Sequence, residues 1–159
     1  MGITRNIDMI RKMSKLWMPL GKRTVIVGGG LVGVELAGFL AERGLRVTVL
    51  EEKDYLAPEM SLPRRWRVLH ELREQGVPMH TGVRIEEILD QGVAFVSRDG
   101  IKETEAAESV ILAMGAMPDQ DLFDQLAGFG VEAKLVGDCR EIGYIEGAMA
   151  DGGRMGRQI

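Results

Sequence analysis

The 159-residue sequence is poor in the side chains that build disulfides and metal centres. It contains one cysteine, Cys139, so no disulfide can form within the chain, and with only two histidines no zinc site of the usual ligand number can be assembled. No apolar run approaches the roughly 18 residues of a membrane span. The formal net charge of −4 argues against nucleic acid as a partner. These shortages predict a cytoplasmic protein with no metal, no membrane association and no nucleic-acid partner.

Glycine, in contrast, is abundant, and its 21 residues are clustered rather than periodic. The clearest cluster is Gly28-Gly29-Gly30-Leu31-Val32-Gly33. The apolar, β-branched residues 24–27 before it are typical of a buried parallel strand. Residues 32–43 after it predict a helix, with Leu36, Phe39 and Leu40 facing the sheet. With a second strand at 46–50, the pattern predicts a β-α-β unit of the size that binds dinucleotides.

The residue types in this turn suit a pyrophosphate group. Gly28 permits a tight turn, Gly30 leaves space for the phosphates, and Gly33 lets the helix pack closely on the strand. The N-terminus of the helix adds partial positive charge at the same place. The turn therefore predicts dinucleotide binding, with one alternative left open, a degenerate unit that has kept the turn and lost the ligand.

Glu51 ends the second predicted strand and is the candidate ribose ligand. A carboxylate there accepts hydrogen bonds from the ribose hydroxyls of NADH and repels the 2′-phosphate of NADPH. No arginine stands next to Glu51 to offset that repulsion, and Glu52 could share its role. We therefore expect NADH as the cofactor, with NADPH less favoured, and keep as the alternative a solvated carboxylate at a strand end.

The rest of the chain contains both predicted helices and predicted strands. Pro63 opens a helix on which Trp66, Leu69 and Leu72 recur at three-residue spacing, and Trp66 is expected in the core. Strands are predicted at 77–80, 83–89, 93–97, 101–105, 109–113 and 133–136, and further helices at 121–126 and 145–157. Asp99-Gly100 is a strong hairpin signal within this series. The predicted fold class is α/β, a Rossmann-like parallel sheet with an inserted antiparallel β-meander.

These features together resemble the NAD(P)H domain of flavoproteins with two dinucleotide-binding folds. The resemblance covers nearly the whole chain from Arg23 onward and includes the C-terminal flavin motif of those proteins. Its segments are the turn with Val34-Glu35, the strand ending in Glu51, the meander, Val110-Ile111-Leu112-Ala113-Met114-Gly115, and Leu135-Val136-Gly137-Asp138-Cys139 followed by Gly147-Ala148-Met149.

Two shorter segments resemble a narrower group. Leu56-Ala57-Pro58-Glu59-Met60 and Gly137-Asp138-Cys139-Arg140 are similar to the C-terminal half of 2,4-dienoyl-CoA reductases, 2-enoate reductases and NADH:flavin oxidoreductases, large relatives of old yellow enzyme. The chain has no Cys-x-x-Cys pair, which excludes dithiol chemistry within it.

The resemblance implies roles for individual residues. The main chain of Gly30, Leu31 and Val32 would bind the pyrophosphate, and Glu51 the adenosine ribose. Other contacts would be made by Val83 with adenine, by Glu35 and Gly115 with the nicotinamide end, and by Asp138 with FAD. No residue can be assigned as a proton donor or nucleophile, and His70 and His80 are not expected to be catalytic.

The resemblance also implies a division of the chain. Residues 1–23 would be a linker from an absent flavin domain, residues 24–117 the NAD(P)H-binding domain, and residues 118–159 the C-terminal segment of a flavin-binding domain. The expected function is to bind NADH for hydride transfer to the flavin of a larger ene-reductase-type oxidoreductase, whose other domains would be its partners. The isolated piece would be inactive. The alternative is a non-catalytic nucleotide-binding module or an ADP-holding relic, as in amine dehydrogenases that resemble this group.

Overall fold

The computed structural model describes residue 9, residues 12–14 and residues 17–158. The predicted linker at 1–23 therefore lies mostly outside the described residues. The chain divides into two compact units, Met1–Met114 and Gly115–Ile159, and each is described by itself. No helix in the described part of the chain is long and apolar enough to cross a membrane.

A four-stranded parallel sheet forms the centre of the first unit. It contains β1 (Arg23–Val27), β2 (Arg46–Glu51), β3 (Met79–Thr81) and β7 (Ser109–Leu112), in the order β3-β2-β1-β7. All three neighbouring pairs are parallel. The central strands β1 and β2 are buried along almost their full length, as their continuous apolar sequences predict. The predicted Rossmann-like sheet is confirmed.

Two helices cover one face of this sheet, α1 (Leu31–Ala41) and α2 (Leu62–Glu74). Alternate strand residues such as Ile26 and Val49 point to this face, because successive side chains of a strand point to opposite sides. The helices contribute four of the fully or nearly buried apolar side chains there: Val34, Leu40, Leu69 and Leu72.

An antiparallel three-stranded sheet covers the other face. It is formed by β4 (Arg84–Leu89), β5 (Gly92–Val96) and β6 (Lys102–Ala106), in that order. Each neighbouring pair is antiparallel, which confirms the predicted meander. A second buried cluster joins the two sheets, with the members Val25, Val27, Leu50, Val83, Val93, Phe95 and Ala107.

Phe39 was expected to face the parallel sheet, and this prediction is wrong. The buried positions of α1 are Gly33, Val34, Ala37 and Leu40, whereas Phe39 is 41% exposed. The guanidinium group of Arg43 lies 3.4 Å from the centroid of the Phe39 ring and covers it. Almost every side of α1 is apolar, so the sequence pattern does not distinguish its sheet-facing side from the opposite one.

Trp66 was expected in the core, and this prediction is also wrong. The side chain is 69% exposed and stacks on His70, with ring centroids 5.2 Å apart. Leu69 and Leu72 supply the buried face of α2, as predicted. Residues three apart diverge by about 60° around a helix. Trp66 and Leu72 therefore point about 120° apart around the helix, although each is three residues from Leu69.

The second unit is helical. Its elements are α3 (Asp121–Gly128), a 3-10 helix at Gly137–Cys139 and α4 (Tyr144–Met155). The strand predicted at 133–136 is absent from this described segment, which is irregular. A strand needs a neighbour to take up its main-chain hydrogen bonds, and the described part of this unit contains no other strand.

Candidate functional site

The glycine-rich turn lies at the carboxyl edge of the parallel sheet, where ligands bind in open α/β folds. It connects β1 to α1, and the main-chain N–H of Gly28 donates to the carbonyl of Leu50 at 2.8 Å. On the other side, the N–H of Ala113 donates to the carbonyl of Val27 at 2.7 Å. The ends of β1, β2 and β7 thus hold the turn from both sides.

Two of the three motif glycines are required by the fold itself. Gly28 has φ of +108°, and a Cβ there would overlap the carbonyl oxygen of Ala113. A Cβ at Gly33 would overlap the carbonyl oxygen of Gly28. Both contacts are with main chain, which cannot rotate away. The structure therefore explains both residues by close packing without any ligand.

Gly30 differs, because nothing in the fold requires it. It precedes α1 in an extended conformation, with φ −67° and ψ −170°, that any residue can adopt. A Cβ there would meet only the Glu59 carboxylate, 3.5 Å from Oε1 and 3.9 Å from Oε2. The space above Gly30 is where a pyrophosphate on the N-terminus of α1 would lie. A phosphate group at this place stays a prediction, and it would give a reason for glycine that the neighbouring residues do not.

Glu51 lies where the sequence predicted, at the end of β2 beside the turn. Its side chain is buried, with 9% of the residue exposed. Oε2 accepts a hydrogen bond from the N–H of Gly29 at 2.5 Å, and Oε1 accepts one from the N–H of Lys53 at 2.8 Å. The carboxylate thus fastens the turn to the strand end. Each oxygen has a second lone pair, so ribose binding stays a prediction with a chemical basis.

Glu59 also reaches the turn, a contact that the sequence analysis missed. Its Oε2 accepts a hydrogen bond from the N–H of Leu31 at 3.2 Å. Leu31 is the first residue of α1, so this N–H is one of the unpaired donors at the start of the helix. Glu59 lies in the loop between β2 and α2. In the same loop, the N–H of Ala57 donates to the carbonyl of Gly29 at 2.8 Å. That main-chain contact across 28 positions has no local sequence signal.

Three further predicted residues lie near this edge in different environments. Val32, beside the turn, is 58% exposed and its side chain is free to meet a ligand. Glu35, one helical turn later, forms an ion pair with Arg64 on α2. Val83 is buried, at 3% exposed, in the cluster between the sheets, and its N–H donates to the carbonyl of Glu51. The expected contact of Val83 with adenine stays a prediction.

Two predicted residues belong to the second unit. Asp138 lies in the 3-10 helix, and its Oδ1 accepts hydrogen bonds from the N–H groups of Gly143 and Tyr144, both at 3.0 Å. Asp138 thus caps the start of α4. Gly115 has φ of +106° with open space around its Cβ position. The expected contacts of Asp138 with FAD and of Gly115 with the nicotinamide end stay predictions.

Asp151 on α4 organises the segment around Asp138 and was not foreseen. Its carboxylate is buried and accepts bonds from the N–H of Gly137 at 3.1 Å and from Nε and Nη2 of Arg140 at 2.7 and 2.8 Å. The hydrogen bond from Arg140 is the main reason that the pKa of Asp151 lies below the usual aspartate range, and burial opposes it. This bidentate pair holds the Gly137-Asp138-Cys139 segment against α4.

A separate cavity of about 350 Å³ opens beside β3, lined in part by Tyr55, Arg65, Arg73, Met79 and Thr81. None of the predicted site residues lines it. It lies on the side of α2, so it forms no part of the phosphate turn.

A family comparison decides the broad class. The model of the pyridine nucleotide-disulphide oxidoreductases matches residues 1–140. The chain belongs to this family. Its members are oxidoreductases that use FAD and a pyridine nucleotide.

Individual relatives are an oxidase and a reductase of much greater length. The NADH oxidase of Thermoanaerobacter brockii is 34% identical over 139 residues, which are 87% of this chain and 21% of that protein. The bilirubin reductase of Mediterraneibacter gnavus (strain CC55_001C) is 37% identical over 126 residues, 78% of this chain and 19% of that protein. The chain thus spans about a fifth of the length of these relatives.

Solved structures agree with the fold. A 2-naphthoyl-CoA reductase in complex with 2-naphthoyl-CoA has a TM-score of 0.83 and 27% identity, covering 95% of this chain and 23% of that one. The histamine dehydrogenase from Rhizobium sp. 4-9 has a TM-score of 0.79 and 18% identity, covering 94% of this chain and 25% of that one. The second likeness concerns the fold alone. Both support an α/β flavoprotein architecture.

Proposed function

We propose that the turn at 28–33 binds the pyrophosphate of NADH, and that the chain holds NADH for hydride transfer to a flavin. The observation that carries the proposal is Gly30. The fold requires glycine at Gly28 and Gly33 but not at Gly30, where glycine suits both the N-cap position of α1 and the space that a ligand on this helix N-terminus would need.

The residues around the turn fit the parts of the nucleotide. The N–H groups at the start of α1, those of Leu31 and Val32, would donate to the phosphates. Glu51 would accept bonds from the adenosine ribose through its remaining lone pairs while continuing to hold Gly29. The carboxylate of Glu35 would first have to leave Arg64 in order to approach the nicotinamide end.

The larger reaction is proposed from the relatives. NADH, when bound, would supply a hydride from its nicotinamide ring, and FAD, which the family implies, would accept it. Asp138 and the start of α4 would contribute one side of the flavin site. We place the parent protein in the ene-reductase-type group of 2,4-dienoyl-CoA and 2-enoate reductases. The likeness to a 2-naphthoyl-CoA reductase, whose name denotes reduction of an aromatic acyl-CoA, supports that placement.

The first experiment tests the phosphate turn. Gly30→Ala adds one methyl group in the proposed pyrophosphate space and should weaken NADH binding at least tenfold, and Gly30→Val should abolish it. Gly38→Ala is the matched control, because its new Cβ would meet only the Leu72 side chain at 3.8 Å, within α1. Dissociation constants from calorimetry are the measurement. Unchanged binding by Gly30→Val would place the nucleotide elsewhere.

The second experiment tests the choice of cofactor. A 2′-phosphate about 4 Å from the Glu51 carboxylate costs about 1–4 kcal/mol, depending on the effective dielectric constant. NADH should therefore bind roughly fivefold to several hundredfold more tightly than NADPH. Glu51→Gln keeps an oxygen for the Gly29 N–H and removes the charge. It should therefore reduce the preference for NADH over NADPH. Equal dissociation constants in the unchanged protein would remove Glu51 from this role.

The alternative function is a nucleotide-binding module without electron transfer. Carboxylates of this chain already accept bonds from the N–H groups of Gly29 and Leu31, so the turn is stable without a ligand. Such a module would bind ADP and NADH equally well, since only the shared ADP portion would be held. A hydride-delivering domain should bind NADH more tightly than ADP, and competition calorimetry separates the two functions.

A further inference from the structure

We propose that Glu59 is a resident competitor of the nucleotide. Its carboxylate occupies the donor at the start of α1 in the free protein and must be displaced when a pyrophosphate binds. The inference rests on the proposed function, because it concerns the same turn. It identifies the residue that limits the affinity of this site.

The first support is the place where the carboxylate lies. Oε2 of Glu59 accepts the Leu31 N–H at 3.2 Å, and both carboxylate oxygens lie within 4 Å of the Cβ position at Gly30. That position is the space that glycine leaves open. The only side chain that the structure places within 4 Å of it, among the described residues, is negatively charged. A carboxylate has the charge sign and the acceptor oxygens of a phosphate, so it satisfies the same donor.

The second support is the way in which the loop delivers this side chain. Its neighbours Leu56, Ala57 and Met60 are buried, and the Ala57 N–H is bonded to the Gly29 carbonyl. Ala57 has φ of +44°, an uncommon conformation for a residue with a side chain. The loop backbone is therefore anchored against the turn, which keeps Glu59 close to it.

The third support is that the carboxylate can leave. Glu59 itself is exposed, so its side chain can rotate into water while the anchored backbone stays in place. Glu51 differs, because its buried carboxylate makes two main-chain bonds that the turn needs. A pyrophosphate and the Glu59 carboxylate cannot share the Leu31 donor, since both are anions at contact distance. Binding thus exchanges one anion for another and leaves Glu51 in place.

The consequence is measurable in the affinity for NADH. Glu59→Gln keeps the side-chain length and removes the charge, and Glu59→Ala removes the competing group. A negative charge at an exposed helix N-terminus typically contributes an amount equivalent to about a two- to fivefold change in an equilibrium constant. Both variants should bind NADH at least that much more tightly. Inorganic pyrophosphate, which has no ribose to contact Glu51, should gain affinity in the same variants.

The control is Glu42→Gln, which makes the same charge change at the opposite end of α1, where Glu42 follows the last helical residue. It should leave both dissociation constants unchanged. Equal or weaker binding of NADH and pyrophosphate by Glu59→Gln and Glu59→Ala, with normal binding by the unchanged protein, would overturn this inference alone. If neither the unchanged protein nor any Glu59 variant binds NADH, the proposed function falls, and the inference falls with it.

Discussion

The two units of the chain are ordered by different forces. In the first unit, two buried apolar clusters lie on the two faces of the parallel sheet. In the second unit, the described residues that are buried are Gly137 and Asp151, neither of them a large apolar side chain. Many of its large apolar residues are exposed, among them Met117, Leu122, Phe129, Ile145 and Met149, and the other described ones are at most half-buried. The comparison shows one unit held by burial of apolar surface and another held by a polar network.

The difference in force predicts a difference in stability. Each large apolar side chain that is fully buried contributes about 1.5–3 kcal/mol, and the first unit has many, including Ile26, Leu40 and Leu50. The second unit depends on helix capping by Asp138 and on the hydrogen bonds of Asp151. We expect α3 and α4 to open far more often than the sheet, and each prediction below tests that ordering.

The largest expected effect is that of Gly33→Ala on the first unit. The added methyl group would overlap the Gly28 carbonyl, so α1 must move off the sheet. Overpacking of this kind costs about 1–3 kcal/mol, or more where backbone must shift. Gly30→Ala, which meets no main chain, should change the free energy of unfolding by much less. Urea denaturation followed by far-UV circular dichroism measures both.

Two results would contradict this prediction. Equal destabilisation by Gly33→Ala and Gly30→Ala would mean that the fold requires both glycines, and the argument for a ligand at Gly30 would be lost. No destabilisation by Gly33→Ala would mean that contact between α1 and β1 is looser than the structure has it.

The turn shows how far local sequence carries a prediction. A β-branched run, a glycine-rich turn and an apolar helical segment are patterns within about 25 residues, and each acts through backbone conformation or residue type. The parallel sheet, the meander and the meeting of the turn with Glu51 were therefore predictable. Phe39 and Trp66 were not, because an apolar side chain beside a core position can also lie outside it, as Phe39 does under Arg43.

The polar contacts were less predictable for another reason. Glu59 reaches Leu31 across 28 positions, and Asp151 reaches Arg140 across 11. Carboxylates are common on surfaces, and nothing in the local sequence marks the ones that accept main-chain bonds from a distant segment. The strand expected at 133–136 failed similarly, because its apolar residues predict a strand only where a neighbouring strand exists.

The second prediction concerns the polar network of the second unit. Asp151→Asn keeps the shape of the side chain and removes the charge that binds Arg140 and Arg154. Amide hydrogen exchange in α4 and at Gly137–Cys139 should become faster by about tenfold or more, as the charge-assisted bonds to the side chain are lost. Exchange in β1 and β2 should not change.

The matched control is Glu146→Gln, which removes an acidic charge from the first turn of the same helix without touching Asp151. It should change exchange in α4 much less. Faster exchange in β1 and β2 upon Asp151→Asn would show that the two units do not differ in the way described. Unchanged amide exchange in α4 would show that Asp151 does not stabilise the second unit.

The smallest expected effect is the response to acid. The pKa of Asp151 is lowered in the folded protein, first by its hydrogen bond with Arg140, so folding favours the ionised form. The stabilisation is therefore complete above the ordinary aspartate pKa of about 4, and it is lost as the pH falls through the lower, folded value. The pKa of Glu108 in the first unit is also lowered, mainly by the Lys22 N–H. There, however, the buried apolar clusters persist when the carboxylate is protonated.

Between pH 6 and pH 3, the rate of amide hydrogen exchange, corrected for its intrinsic pH dependence, should therefore rise in α4 and stay nearly constant in β1 and β2. Asp151→Asn should show a flatter pH response in α4 than the unchanged protein, because its amide has no proton to gain in this range. An equal acid response in the two proteins would assign the pH dependence to another group and leave the polar network without its proposed centre.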